Sequence, residues 1–178
     1  MKLLFENWRK YLDEIEERPS LGTDKNKDNI GFVMWAKAAA DKKNTDTVEH
    51  DGLDIQVADM GDHTKIISYL DGEAVGYVAI EPLKDGVKIG TLAVGVEYQR
   101  KGVAKRMYDY IIQNYNVYSG DSQTPESKGL WNNYLAKKYK VKAINVKTGK
   151  EITDPNMIYT KEGEPPNNVY LFIPKGGQ

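Results

Sequence analysis

A mixed α/β (α+β) fold, with a mostly antiparallel sheet, flanking helices and an N-terminal amphipathic helix, is predicted by three observations. Short β-branched runs fill the middle of the chain, Asp-Gly punctuation separates them, and amphipathic helical patterns follow. The strand candidates are residues 53–58, 64–70, 73–81 and 87–96. Asp71-Gly72 joins two of them as a type I′ hairpin turn, which needs φ > 0 at both central residues. Linked onward through Pro82–Gly86, the four runs make an antiparallel meander.

The last of these runs leads without a spare residue into Gln99-Arg100-Lys101-Gly102-Val103-Ala104-Lys105 and then a helix. Ala104, Met107, Tyr108, Ile111, Ile112 and Tyr115 recur at the spacing of one buried helical face. The first turn of such a helix leaves orphan amides, and its dipole adds partial positive charge there. Gly102 removes the Cβ that would hold a ligand off the backbone, so a phosphate or pyrophosphate is the expected guest. Arg100, Lys101 and Lys105 either contact that anion or form an ordinary solvated basic cluster.

After this helix, residues 116–119 read as a short strand parallel to the preceding one, because the helix supplies the crossover. A splayed parallel pair would open a cleft. Thr124 and Pro125 provide an N-cap and a proline at the first helical position, and Leu130, Trp131, Tyr134, Leu135 and Tyr139 continue an apolar face to residue 139. Residues 141–146 and 168–173 read as strands, with a substrate-bordering loop expected over 153–167.

Leu4, Trp8, Tyr11, Leu12 and Ile15 give residues 1–17 the pattern of an amphipathic helix, suited to docking on the domain or on a protein partner. A polar linker is expected over 18–29 and the main domain over 30–178. Within 30–43 the alanine-rich second half reads as helix and the first half as a strand candidate.

Charge and composition bound the function. Lys and Arg number 25 against 26 Asp and Glu, a net charge of −1, so no global field recruits nucleic acid or an anionic membrane. No cysteines and two histidines, His50 and His63, leave no thiolate zinc site or cysteine nucleophile, and no metal is expected. With no apolar run of 18 residues, the expected location is cytoplasmic.

Gln99, Gly102 and Ala104, following Leu92-Ala93-Val94, resemble the acyl-CoA signature of the GNAT acetyltransferase superfamily, [Gln/Arg]-x-x-Gly-x-[Gly/Ala] after a strand. The resemblance implies an acyl-CoA-dependent N-acyltransferase that moves an acetyl group from acetyl-CoA to a small-molecule or peptide amine by direct attack. It places the pyrophosphate on Gln99, Arg100, Lys101, Gly102, Val103, Ala104 and Lys105. The pantetheine arm would lie against Leu92, Val94 and Val96, and a backbone N–H near Val94–Val96 would polarise the carbonyl. Val96 stands where many members carry proline, and the helices usual between the family's first two strands are missing at residues 59–63.

The family's acid, often a tyrosine, aligns by offset with Trp131, a poor proton donor to a thiolate, which leaves Tyr134 as the catalytic candidate. Both aromatics also suit a core. Glu81, Glu97 and His63 are candidate bases, each equally readable as a solvated surface group. The alternative function is a non-catalytic interaction or structural protein on the same fold. A second resemblance, of Leu12-Asp13-Glu14 and Ile15-Glu16-Glu17 to cleavage points in tailed-phage capsid-targeting peptides, implies a virion-associated setting if the chain is phage-encoded.

Overall fold

The computed structural model describes residues 45, 47–120, 124–145, 147–152 and 169–177. The expected N-terminal helix, linker, 30–43 segment, capsid-targeting resemblance and 153–167 loop lie outside the described residues. Among the described residues nine strands form one sheet in the order β1-β2-β3-β4-β5-β6-β9-β7-β8, with every pairing antiparallel except β5 with β6.

The meander has five strands rather than four: β1 (Thr47–His50), β2 (Leu53–Asp59), β3 (Thr64–Leu70), β4 (Glu73–Leu83) and β5 (Gly86–Val94). The additional strand β1 is held by Asp51-Gly52, whose φ values of 50° and 72° match the 51° and 81° of Asp71-Gly72. Both turns therefore have the twist that a two-residue hairpin favours. Strand β5 ends at Val94, so Val96 opens the short 3₁₀ turn Val96–Tyr98 instead of extending the strand.

Helix α1 (Val103–Asn114) packs Val103, Met107, Tyr108, Ile111 and Ile112 on one face of the sheet, against Ile55, Ile66, Val78, Ile80 and Ile89. Fully burying each of these large side chains contributes about 1.5–3 kcal/mol. Gly76 lets the helix come down close to β4, because a Cβ there would stand 2.6 Å from Ser68 Oγ and 2.8 Å from Met107 Sδ. That approach brings the first turn of α1 to the end of β5. The helix stops at Tyr115, which is extended, with Asn114 Nδ2 donating to Tyr110 O at 2.7 Å.

Beyond α1, β6 (Val117–Tyr118) meets β5 only at Val87–Val117 and Lys88–Tyr118. Ser119 N–H then donates to Leu171 O at 2.8 Å, on β9 (Val169–Ile173), so the chain leaves β5 behind. The helix expected over 125–139 forms from Pro125 to Lys138, with helical φ/ψ at its junctions, as α2 (Pro125–Leu130), a π-turn Trp131–Leu135 and α3 (Ala136–Lys138). Thr124 caps it as expected, its Oγ1 accepting from Ser127 N–H at 3.2 Å. β7 (Lys142–Asn145) pairs with β9 and with β8 (Lys150–Ile152), a strand not expected from its polar sequence.

Gly86 sets the β5–β6 spacing. A Cβ there would lie 2.4 Å from the Asn116 carbonyl oxygen, which already accepts from Val87 N–H at 2.8 Å. Gly86→Ala is expected to cost about 1–3 kcal/mol by this overpacking. A shift of the urea midpoint measures it, and an unchanged midpoint would show that the two strands separate freely.

The opposite sheet face holds a second cluster of Ala58, Ile67, Tyr77 and Ala93. Burial pushes the Tyr77 phenol up from 10.0 to about 12. A phenol raised in the folded state stabilises fully below pH 10, and that contribution is lost as pH rises through about 12. Stability should therefore fall over this window, with Tyr77 accounting for about 2–3 kcal/mol at most. Tyr118 and Tyr139 are raised alike, chiefly by burial, so Tyr77→Phe should remove only its own share of the alkaline fall in urea midpoint.

Candidate active site

The splay of β5 from β6 leaves the second half of β5 with one edge that no strand among the described residues pairs with. Gly95 N–H donates to Val75 O at 2.9 Å, toward β4. Peptide groups alternate sides along an antiparallel strand, so those of Leu92 and Val94 face away from β4, into the gap. Val94 O indeed accepts from Gln99 Nε2 at 3.3 Å, from outside the ladder. Of the three candidates for polarising a carbonyl, Gly95 is thus occupied and the Val94 N–H faces the gap. Val94 is 8% exposed and Val96 39%.

The chain between β5 and α1 makes a tight, glycine-bearing turn. Arg100 and Gly102 both take left-handed backbone conformations, with φ of 62° and 82°. The amides of Tyr98, Gln99 and Lys101 are used inside the turn, by Gly95 O, Val96 O and Tyr98 O. The first helical bond runs from Arg106 N–H to Gly102 O at 3.1 Å. Among the described residues no acceptor takes the N–H groups of Gly102, Val103, Ala104 or Lys105. A Cβ on Gly102 would meet nothing within 4 Å, so the concavity stands open. Free amides converging at a helix start suit phosphate oxygens.

The cations are arranged around this turn. Lys101 Nζ lies 5.3 Å from the Tyr98 ring centroid and Lys105 Nζ 4.8 Å from that of Tyr134. Arg106, which sequence reasoning passed over, donates to Asp51 O at 3.1 Å and to Lys101 O at 3.5 Å. It ties the turn to the β1–β2 hairpin. Its only sequence signal was its place in the first turn of an amphipathic helix.

Trp131 is 1% exposed and its Nε1 donates to Tyr108 OH at 3.3 Å, a core aromatic in edge contact with that ring. Tyr134 sits in the π-turn with its ring beside Lys105, and its hydroxyl donates to Asp109 Oδ2 at 2.8 Å. Lys138 Nζ donates to the same carboxylate oxygen at 2.7 Å and to Tyr134 OH at 3.1 Å, while Tyr139 OH donates to Asp109 Oδ1. Burial raises the Tyr134 phenol above its usual range, with Lys138 opposing and Asp109 adding to the shift.

Gly90 and Thr91 together oppose the single residue Ala79, a bulge between the pairs Val78–Leu92 and Ile80–Ile89. Beside it lies a pocket of about 350 Å³ lined by residues that include Asp62, His63, Ala79, Glu81, Gly90 and Thr91. Two of the candidate bases, His63 and Glu81, meet here, whereas Glu97 is exposed in the 3₁₀ turn and lies apart from this lining. The isolated Gly90 within a strand pattern was the sequence signal for the bulge.

Residues 34–116 match the model of the acetyltransferase (GNAT) family. Solved structures similar to this chain include the ribosomal-protein-S18-alanine N-acetyltransferase from Escherichia coli, at 10% identity, covering 64% of this chain and 69% of that one, with a TM-score of 0.38. A putative GNAT acetyltransferase from Bacteroides thetaiotaomicron is similar at 14% identity, 64% and 61% coverage and a TM-score of 0.42. A GNAT acetyltransferase from Elizabethkingia anophelis with acetyl-CoA bound is similar at 14% identity, 86% and 92% coverage and a TM-score of 0.39. No curated protein matches the chain.

Proposed function

We propose, for a chain whose residues 34–116 match the model of the GNAT acetyltransferase family, an acyl-CoA-dependent N-acyltransferase that carries an acetyl group from acetyl-CoA to an amine by direct attack. The observation that carries this reading is the Gly102 turn, with four free amides at the end of a strand that has one edge unpaired among the described residues. Gly102, Val103, Ala104 and Lys105 would hold the pyrophosphate through their N–H groups, with Arg100 and Lys101 adding charge. Leu92 would pair its gap-facing peptide groups with the amides of the pantetheine arm, and the Val94 side chain would lie along the same arm.

When bound, the thioester supplies an acyl carbon open to an amine. The Val94 N–H can donate to the carbonyl oxygen where negative charge develops, which favours the transition state over the ground state. Tyr134 is the phenol in reach of the turn through Lys105, and we assign it the return of a proton to the departing sulfur. To do so it must exchange its bond to Asp109, which keeps the proton on Tyr134 until then.

A non-catalytic binding module is the second reading, favoured by the burial of Trp131 and by the engagement of Tyr134 with Asp109 and Lys138. Calorimetry with acetyl-CoA and desulfo-CoA, followed by an assay for amine-dependent thiol release, separates the two. Binding of both nucleotides with release of thiol supports the enzyme; binding without release across small amines and peptide N-termini supports the module. Absence of binding would sink the reading of the turn.

A further inference from the structure

We infer that Arg106 is a positioning residue for the phosphate end of acetyl-CoA: its guanidinium fixes the orientation of the Lys101–Gly102 peptide, so that the Gly102 N–H faces the ligand and the Lys101 carbonyl does not. The inference rests on the acyltransferase reading above and adds to it a residue that touches neither the ligand nor the reacting atoms.

Successive N–H groups converge on an anion only if the chain turns correctly at each peptide. Gly102 is left-handed and Val103 is helical, the alternation that brings the N–H groups of Gly102, Val103 and Ala104 to one side. The helix itself fixes the last two. The first belongs to the Lys101–Gly102 peptide, which precedes the helix, and no hydrogen bond inside the turn uses its N–H. Its orientation is set from the carbonyl side.

That peptide has two ways to lie. Turning ψ of Lys101 and φ of Gly102 together through half a revolution reverses it, taking the Gly102 φ from 82° to about −98°. Glycine accepts both values. The missing Cβ that opens the turn to a ligand therefore also permits the reversed peptide. Because the carbonyl and N–H of a trans peptide point in opposite directions, reversal would set the Lys101 oxygen where the Gly102 N–H had been. An acceptor would then face phosphate oxygens and repel them.

Arg106 selects between the two. Its Nη2 donates to Lys101 O at 3.5 Å and its Nη1 to Asp51 O at 3.1 Å. Holding the Lys101 oxygen on the guanidinium sends the Gly102 N–H the opposite way, out of the turn. The charged donor also polarises the peptide, which strengthens that N–H as a donor. Lys101 N–H in turn donates to Tyr98 O at 3.4 Å, so both peptide groups of this residue are pinned. Pinning matters because Arg100, just before it, has a φ of 62°, which a residue with a Cβ keeps only where its surroundings impose it.

The residue type follows from the geometry. A guanidinium presents its donors in a rigid planar fork and reaches two carbonyls at once, whereas an ammonium is a single point on a flexible stem. The second carbonyl belongs to the β1–β2 hairpin, whose tip is tied by Gly52 N–H to Glu49 Oε1 at 2.8 Å. The hairpin is thus the fixed point from which Arg106 holds the turn. Strand β1 acquires a part in the site although three strands separate it from β5 in the sheet.

The test compares Arg106→Met and Arg106→Lys with the wild type; both replacements keep helix propensity and an aliphatic stem. In ¹³C,¹⁵N-labelled protein without ligand, Arg106→Met should move the Lys101 carbonyl-carbon and Gly102 amide resonances. Sodium pyrophosphate should shift the Gly102, Val103 and Ala104 amides of the wild type at concentrations that leave those of Arg106→Met in place. By calorimetry, Arg106→Met should weaken acetyl-CoA binding about tenfold, the loss of one charge-assisted hydrogen bond, and Arg106→Lys should recover only part of it. In the thiol-release assay, KM for acetyl-CoA should rise with kcat at saturation kept within about twofold. An Arg106 that only supported the fold would lower the urea midpoint and leave the affinity of the folded variant unchanged, which overturns the inference. Full affinity in Arg106→Lys also overturns it, because charge alone would then suffice. If acetyl-CoA fails to bind the wild type while pyrophosphate shifts those amides in an Arg106-dependent way, the positioning role stands and the acyltransferase reading falls. A wild type that answers neither probe overturns both.

Discussion

Gly102→Glu is expected to weaken acetyl-CoA binding by at least about 100-fold while leaving the protein folded, since each 1.4 kcal/mol lost is a factor of ten. Two effects combine. A carboxylate is placed among amides that would otherwise face phosphate oxygens, and the free N–H groups of residues 102–105 gain an internal acceptor that competes with the ligand. The side chain itself has room, because a Cβ at this position meets nothing within 4 Å. Folding suffers only from a φ of 82°, worth about 1–2 kcal/mol for a residue with a Cβ.

Gly102→Ala therefore serves as the control, carrying the backbone strain without the charge. Calorimetry on the two variants divides the terms: alanine should cost a few-fold in affinity and glutamate nearly all of it. If Gly102→Glu binds as the wild type does, the phosphates do not sit on this turn.

Asp109→Ala is expected to destabilise the fold by about 2–4 kcal/mol, the largest effect foreseen for a single polar side chain here. Asp109 is 6% exposed on α1 and accepts from the hydroxyls of Tyr134 and Tyr139 and from Lys138 Nζ. Removing it leaves two phenols on α1's partner segment without their acceptor. The Lys138 share is discounted, because that side chain is 46% exposed and can turn to water. Tyr134→Phe deletes a single bond and should cost about 1 kcal/mol. Urea unfolding measures both, and an Asp109→Ala midpoint equal to the wild type would mean that the π-turn is held by its apolar contacts alone. Since the same carboxylate holds the Tyr134 hydroxyl, Asp109→Asn also probes function: thiol release should change if Tyr134 delivers the proton and stay level if it only packs.

Much of the meander was legible because its signals are local. Asp71-Gly72 dictates a hairpin whatever surrounds it, and the apolar spacing from Val103 to Ile112 commits that segment to a helix on a sheet. The same Asp-Gly signal at residues 51–52 marks the β1 hairpin, but Thr47–His50 is exposed and polar, so hydrophobic patterning could not reveal it. Strand β8 was hidden for the same reason: it is held by its ladder with β7 rather than by burial. The π-turn was not legible either, since the apolar residues 130, 131, 134, 135 and 139 fit an unbroken helix equally well.

The candidate site divides along the same line. The sequence by itself determined the glycine turn that opens α1, because a glycine at a helix start after a strand acts through backbone geometry that needs no distant partner. Only the tertiary structure decided which peptide groups of β5 face the gap, through the bond from Gly95 to Val75. It also committed Trp131 and Asp109 to the packing of α1, and brought His63 and Glu81 to one pocket beside the bulge. These depend on contacts between residues 18 to 25 positions apart in the chain, about five to seven helical turns, and a local pattern carries no record of which distant side chain will complete it.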